Sequence, residues 1–249
     1  MMDDRANITH LYGIIGYPLT HSFSRAYFTE KFEKEGLQHC RYDLFRLDTI
    51  EQFPEILRDN PNLVGLNVTI PYKQAVLPFL DGFGEGVESI SAVNVIKISG
   101  EKLIGYNSDV DGFETSLRHF LNGAKPEAAL VLGSGGASKA VQFVLTKMKI
   151  PFQVISRSGQ SYDTLTQQVM QAHPLIINAT PLGMAPALDT CPDIPYEYLD
   201  ERHWLFDLVY NREPTLFLQK GSRQGARTRD GLEMLYAQAD KAWAIWNEK

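Results

Sequence analysis

Two kinds of residue in this 249-residue chain could act on a small molecule: glycines that let a phosphate reach backbone amides, and charged side chains beside strand ends. Gly133, Gly135 and Gly136 follow the short apolar run Leu130–Leu132 and precede a helical apolar pattern of Ala137, Ala140, Val141, Val144, Leu145 and Met148. Residues without a Cβ allow a sharp turn there, and the helix N-terminus beyond it favours negative charge. A pyrophosphate fits such a turn. Ser138 stands where the G-x-G-x-x-G/A pattern has its third glycine, so the turn alone also suits any tight strand-to-helix connection. The next apolar run, Phe152–Ile155, ends about 20 residues beyond the glycines, where dinucleotide-binding folds read the ribose. Ser156-Arg157-Ser158 follows it, with no carboxylate for a ribose 2′-hydroxyl and with an arginine able to pair with a 2′-phosphate. This favours NADP; the alternative is an exposed arginine on a strand-to-helix loop.

Lys73 and Asp109 are the charged candidates. The run Val64–Ile70 reads as a strand, and Pro71 suits the first position of a helix over Tyr72–Leu80. Lys73 then lies in the first turn, facing the positive end of the macrodipole, which makes its ammonium a readier proton donor; the alternative is a solvated surface lysine. Asp109 follows Tyr106-Asn107-Ser108 at a strand exit and is also a candidate N-cap for a helix over Val110–Leu121. Two further buried-strand candidates, Leu175–Asn178 and Leu205–Val209, end in Ala179–Met184 and Tyr210-Asn211, which could line a crevice at the carboxyl edge of a sheet. Other chemistries lack a foothold. The six histidines share no spacing, Cys40 and Cys191 form no metal pattern, and H-E-x-x-H, C-x-x-C and G-x-S-x-G are absent.

The elements that must position these residues alternate. Leu11–Gly16 reads as a strand, a helix capped by Ser22 runs to Gly36, and a second strand over His39–Leu47 precedes a helix over Thr49–Arg58. This βαβα order predicts a mostly parallel sheet. Ala92–Ile98 and Lys102–Tyr106 read as a hairpin around Ser99-Gly100-Glu101, and Gly231–Trp246 carries an apolar helical stripe. With 44% hydrophobic and 22% charged residues, the chain can build the core of an ordinary globular protein. A net charge of −6 gives no reason to expect nucleic acid or an anionic membrane as partner. No signal-peptide core or membrane-length apolar run is evident, so a reducing cytoplasm is the expected location. The sequons at Asn7, Asn67 and Asn178 are then chance matches.

Several blocks, in order over almost the whole chain, resemble the shikimate dehydrogenase family. They are G-Y-P-x-x-H-S-x-S at 16–24, N-V-T-I-P-Y-K at 67–73, S-A-V-N at 91–94, N-S-D at 107–109 and G-S-G-G-A-S at 133–138. They continue with N-A-T-P-L-G-M at 178–184, D-L-V-Y at 207–210 and D-G-L-E-M-L-Y-A-Q at 230–238. The resemblance implies a two-domain α/β protein: a substrate domain over 1–108, a Rossmann-like NADP domain over 109–226, and a C-terminal helix over 227–249 returning to the first domain. It implies reduction of 3-dehydroshikimate to shikimate, with Lys73 and Asp109 as the catalytic pair. Ser22, Ser24 and Tyr210 would hold the substrate carboxylate, and Thr69, Asn94 and Gln238 its hydroxyls. The cofactor would meet Gly133, Ser134, Gly135, Gly136, Ala137, Ser156, Arg157, Ser158, Thr180, Leu208 and Gly231. His21 is expected near the substrate, no metal is implied, and the chain would act as a monomer or homodimer. Two departures stand out. Arg25 replaces the proline of H-S-x-S-P, and only Arg157 remains of the two arginines in the cofactor loop N-R-T-x-x-R, so NAD use is not excluded. The competing readings are a quinate/shikimate dehydrogenase that uses NAD, and a ligand-sensing module without catalysis.

Overall fold

In the computed structural model, which describes residues 8–19, 22–157, 159–211 and 213–248, the most deeply buried strand of the first sheet is β1 (His10–Gly16). It is flanked on both sides by parallel partners, β2 (Cys40–Arg46) and β3 (Leu63–Val68), which is why Leu11 to Gly16 are all buried. Helix α1 (Phe23–Lys34) connects β1 to β2. The Ser22 hydroxyl caps it by accepting from the Arg25 N–H at 3.3 Å, and Phe28 and Phe32, one turn apart, face the core. Gly36, at φ +68°, ends it in a Schellman turn with Leu37 N–H donating to Phe32 O at 2.8 Å. The helix expected over Thr49–Arg58 divides into a 3-10 turn, Ile50–Gln52, and α2 (Phe53–Asp59), because Pro54 has no N–H with which to continue the first turn.

Beyond β3 the sheet is mixed rather than parallel. β4 (Gly82–Phe83) is followed by the short helix α3 (Val87–Ile90), and then β5 (Val95–Ser99) runs antiparallel to β3. β6 (Lys102–Tyr106) folds back on β5 around Gly100, at φ +61°, as the hairpin reading requires. The order is β2-β1-β3-β5-β6-β4. The helix expected over Tyr72–Leu80 is absent. Consecutive turns end there in a 3-10 turn, Leu77–Phe79, with Pro78 unable to donate to a helical ladder and the Ile70-Pro71 peptide cis.

Residues up to Ser108, together with those from Ala239 on, form one unit, and Asp109–Gln238 form the other. The last helix, α8 (Leu232–Asn247), places Ala239, Ala242, Ile245 and Trp246 in the aromatic core around Phe28 and Tyr42. Trp246 lies over Gly65, where a Cβ would fall 2.4 Å from its ring, and its indole N–H donates to Ile96 O at 3.0 Å.

The second unit begins in α4 (Ser108–Leu121) and holds a sheet of five parallel strands: β7 (Ala129–Leu132), β8 (Phe152–Ile155), β9 (Leu175–Asn178), β10 (Trp204–Asp207) and β11 (Arg227–Arg229). Their order is β11-β10-β9-β7-β8. Helices α5 (Gly136–Lys147), α6 (Gln167–Ala172), α7 (Leu216–Arg223) and the start of α8 (Leu232–Asn247) complete it. One core layer joins Phe113, Leu117, Val141, Val144 and Met234 to the sheet, and another joins Met170, Leu199, Phe217 and Leu218 to it. This is the doubly wound arrangement, with the strand order reversing between β7 and β9. The stretch 227–249 therefore divides. Arg227–Arg229 pairs with β10 as an edge strand, and residues through Gln238 stay with the second unit.

Candidate active site

In the first unit, the candidate residues cluster where β1, β3 and β5 meet. Thr69 N–H donates to Ile15 O and Tyr17 N–H to Ile70 O, both at 3.0 Å, so the exits of β1 and β3 are tied together. Gly16 makes this possible, since a Cβ there would lie 2.4 Å from Thr69 Cγ2. Lys73 sits in the turn after β3, not in a helix, so no helix macrodipole acts on it. Its position is nevertheless held on both sides. Tyr72 is buried and donates its hydroxyl to Leu47 O at 2.7 Å, while Lys73 O accepts from Val93 N–H at 2.8 Å. That bond places Lys73 next to the Val93-Asn94 step.

Asn94 belongs to a buried polar chain. Its Oδ1 accepts from Ser108 N–H at 2.7 Å, its Nδ2 donates to Ser108 Oγ at 3.1 Å, and its backbone oxygen accepts from Asn67 Nδ2 at 3.3 Å. Asn67 Oδ1 in turn accepts from the Tyr42 hydroxyl at 2.7 Å, and the Ser24 side chain hydrogen-bonds to Tyr42. Burial pushes the Tyr42 phenol well above its ordinary range. One line of bonds thus joins Ser24, at the start of α1, to Ser108, the residue before Asp109. Ser22 is half-buried beside it, and Arg25 is exposed. It is the Arg25 N–H that serves Ser22, a donor that a proline at this position would lack.

In the second unit, the glycine turn is shaped as its sequence suggests. Gly133 has φ +109°, and a Cβ on it would fall 3.0 Å from Thr180 Cγ2 and 3.1 Å from Ala179 O, so the turn lies against the exit of β9. A Cβ on Gly135 or Gly136 would meet nothing within 4 Å. The space beside Gly135 and Gly136, at the first N–H groups of α5 that have no partner within the helix, is therefore open, as a phosphate requires. Ser138, the missing third glycine, is buried and closes the turn by donating to Gly133 O at 2.7 Å. After β8, Ser156 N–H donates to Gln160 O at 2.9 Å, and this tight loop carries Arg157 exposed at its tip. Ser158 lies outside the described residues, as does His21.

The exits of β9 and β10 form the other wall. Thr180 donates its hydroxyl to Asn178 Oδ1 at 2.6 Å, and Leu208 N–H donates to Asn178 O at 3.0 Å. Gly231 packs on Leu208, where a Cβ would be 2.2 Å from the Leu208 carbonyl oxygen. Tyr210 is 37% exposed, with its phenol pushed up by partial burial. α4 and α8 touch at Gly112, where a Cβ would lie 2.7 Å from Met234 O and 3.0 Å from Gln238 Cβ. Asp109 and Gln238 are thereby carried on two helices in contact. Lys73, Ser22, Ser24, Thr69 and Asn94 belong to the first unit; Asp109, Tyr210, Gln238 and the cofactor residues belong to the second.

Reading residue types missed two buried groups, Tyr42 and Asp207. Tyr42 stands between Arg41 and Asp43 in β2, and Asp207 closes the apolar run of β10, so neither stands out by residue type although buried polar groups must find partners.

A family model described as the shikimate dehydrogenase substrate binding domain matches residues 14–96. The chain is 32% identical over 264 residues to the NADP(+) shikimate dehydrogenase of Desulforamulus reducens, covering 96% of this chain and 90% of that protein. A crystal structure of the Thermus thermophilus shikimate 5-dehydrogenase in complex with NADP(H) and shikimate superposes with TM-score 0.83 at 29% identity, covering 96% of this chain and 94% of that one. The quinate dehydrogenase of Corynebacterium glutamicum in complex with NAD gives TM-score 0.85 at 26% identity, again covering 96% and 94%.

Proposed function

Because the chain belongs to the shikimate dehydrogenase family, we propose that Lys73 and Asp109 are the acid–base pair with which it interconverts 3-dehydroshikimate and shikimate. The protein is an NADP-dependent oxidoreductase of aromatic amino acid biosynthesis. The observation that carries this is the 32% identity over 96% of the chain to an NADP(+)-dependent relative. Lys73 and Asp109 both stand within intact sequence blocks.

When bound, NADPH supplies a hydride to the ketone carbon. The chain's own residues do the rest. As negative charge grows on the ketone oxygen, the Lys73 ammonium stabilises it and delivers a proton to it. Asp109 orients that ammonium and offsets its charge. Ser22, Ser24 and Tyr210 hold the substrate carboxylate, while Thr69, Asn94 and Gln238 bond its hydroxyls. An analogue lacking a hydroxyl leaves such a group unpaired and is rejected. The open space over Gly135 and Gly136 fits a dinucleotide's phosphates. Ser134, Ala137, Thr180, Leu208 and Gly231 would meet the rest of the cofactor, and Ser156 and Arg157 its 2′-phosphate, with Ser158 of the same loop outside the described residues. The reading places the enzyme in the cytoplasm as a monomer or homodimer. No described helix is long and apolar enough to cross a membrane.

The single arginine at the loop tip and the likeness to an NAD-bound quinate dehydrogenase favour a second reading, in which quinate and NAD are also used. A matrix of shikimate and quinate against NADP+ and NAD+, followed by the absorbance of reduced cofactor, separates the two. Shikimate with NADP+ is the expected best pair. Lys73→Ala should lose kcat with little change in the KM for shikimate; retained turnover would remove Lys73 from the mechanism.

A further inference from the structure

Asp207 ends β10 and is fully buried at the carboxyl edge of the second sheet, and the reaction as described gives it no task. Its Oδ1 accepts from Asn178 Nδ2 at 2.9 Å and from Val209 N–H at 3.0 Å, and its Oδ2 accepts the Thr215 hydroxyl at 2.6 Å. Each donor belongs to a different piece of chain: Asn178 ends β9, Val209 leaves β10, and Thr215 caps α7. None of the three is a cation.

The bonds continue outward. Asn178 Oδ1 accepts from Thr180 N–H at 3.0 Å and from the Thr180 hydroxyl at 2.6 Å, and its Nδ2 reaches Leu182 O at 3.3 Å. Asn211 Nδ2 donates to Gly183 O at 2.7 Å, joining the far ends of the same two loops. The loop after β9 and the loop after β10 are thus cross-tied, and the tie runs through one carboxylate. A carboxylate suits this place because it only accepts, and three donors converge on its two oxygens.

We propose that Asp207 is a positioning residue for the cofactor, its carboxylate holding the loops after β9 and β10 in the one register that presents Thr180 and Leu208 to a nicotinamide dinucleotide. The proposal rests on the reading that those residues meet NADP(H). It deepens that reading by naming what sets their geometry. Among the described residues, the titratable side chains that interact electrostatically with Asp207 are Asp230, after β11, and Tyr196, from the 3-10 turn Tyr196–Tyr198. Burial, opposed by the bonds from Thr215, Val209 and Asn178, pushes the Asp207 carboxyl up to about 6. Protonation in mild acid removes the charge that strengthens these three bonds and turns one carboxyl oxygen from acceptor to donor.

The test uses the full chain with Asp207→Asn, Asp207→Ala, Thr215→Val and Thr215→Ser. Calorimetry gives the NADP+ dissociation constant without substrate, and hydrogen exchange without any ligand follows residues 179–183 and 208–211. Asp207→Asn and Thr215→Val should each weaken NADP+ binding tenfold or more and speed exchange in both loops, with the KM for shikimate rising less, through Tyr210 alone. Thr215→Ser, which keeps the hydroxyl, should restore wild-type values. Wild-type affinity should fall as pH drops through 6, and that dependence should vanish in Asp207→Asn. Should Asp207→Ala fail to fold, the other variants still decide. Folded Asp207→Asn and Thr215→Val with wild-type NADP+ affinity and loop exchange would overturn the proposal alone. Wild-type protein that binds no NADP+ would overturn the functional reading, and the proposal with it.

Discussion

Replacing Tyr42 by Phe removes one oxygen atom from the middle of the buried line that joins Ser24 to Ser108. The ring itself is unaffected, and its stacking on Phe28, with centroids 4.9 Å apart and planes at 15°, is retained. What is lost is the 2.7 Å bond to Asn67 Oδ1, which leaves a buried carbonyl without that donor and the Ser24 side chain without its partner on the ring. Leaving a buried polar group unsatisfied costs about 1–3 kcal/mol. Tenfold corresponds to about 1.4 kcal/mol, so the loss amounts to roughly 5- to 150-fold, shared between folding and substrate affinity. Urea unfolding should report an unfolding free energy lowered by up to about 1–3 kcal/mol, seen as a lower midpoint at unchanged slope. Steady-state assays should show the KM for shikimate raised up to about tenfold, with kcat and the KM for NADP+ little changed, the signature of lost uniform binding. A full stability loss with an unchanged KM for shikimate would mean that the line of bonds holds the fold and does not position Ser24 and Asn94. An unchanged unfolding midpoint would mean that the bond contributes nothing.

Three more outcomes follow from the same geometry. Arg157→Ala should raise the KM for NADPH far more than that for NADH; equal effects would count against pairing with the 2′-phosphate. Gly135→Ala adds a methyl group where no protein atom lies within 4 Å, so stability should stay within about 0.5 kcal/mol while the KM for NADP+ rises tenfold or more; unchanged kinetics would place the phosphates elsewhere. The Asp207 carboxyl is raised from 3.8 to about 6 in the folded state, so its stabilising contribution is complete below pH 3.8 and is lost as pH rises through 6. Relative to Asp207→Asn, the wild type should therefore lose up to about 3 kcal/mol of unfolding free energy between pH 4 and pH 7, and parallel urea curves at the two pH values would refute this.

Most of the second sheet was legible because its strands read as short, largely apolar runs with breakers beside them: β7 ends at Gly133, β8 lies between Pro151 and Ser156, and β9 begins after Pro174. β11 was not legible. Arg-Thr-Arg is three polar residues on an edge, held by pairing with β10 and by the Arg227 guanidinium over the Trp204 ring at 4.8 Å, neither of which a local pattern reports. Helix α7 was hidden because Gly221 interrupts its pattern; a Cβ there would come within 2.2 Å of Leu205 Cδ2, so close packing on β10 excludes a side chain. Over 72–80 Pro71 signals a helix start, but Pro78 also stops one, and the segment forms a series of turns. Among site residues, the glycines could be read from backbone demands alone. Tyr42 and Asp207 could not, because a tyrosine in a strand reads as core and an aspartate at a strand end reads as solvated.

Those two residues show how each unit supports an exposed constellation. Apolar packing fills space but tolerates small slips of one element past another, whereas a satisfied polar network is broken by any slip, so it specifies register. In the first unit the network is neutral: a tyrosine, two asparagines and two serines. Burial holds the Tyr42 phenol well above its ordinary range, so this support does not change charge between mild acid and mild base. In the second unit the hub is a carboxylate that titrates near 6. The two networks therefore respond differently to acid. The one beneath Ser24 and Asn94 keeps its charge state, while the one between the loops after β9 and β10 changes within a range that a living cell can reach. Acidification that lowers activity through these supports should do so chiefly by weakening the hold on NADP(H), with shikimate affected only through Tyr210 on the loop after β10.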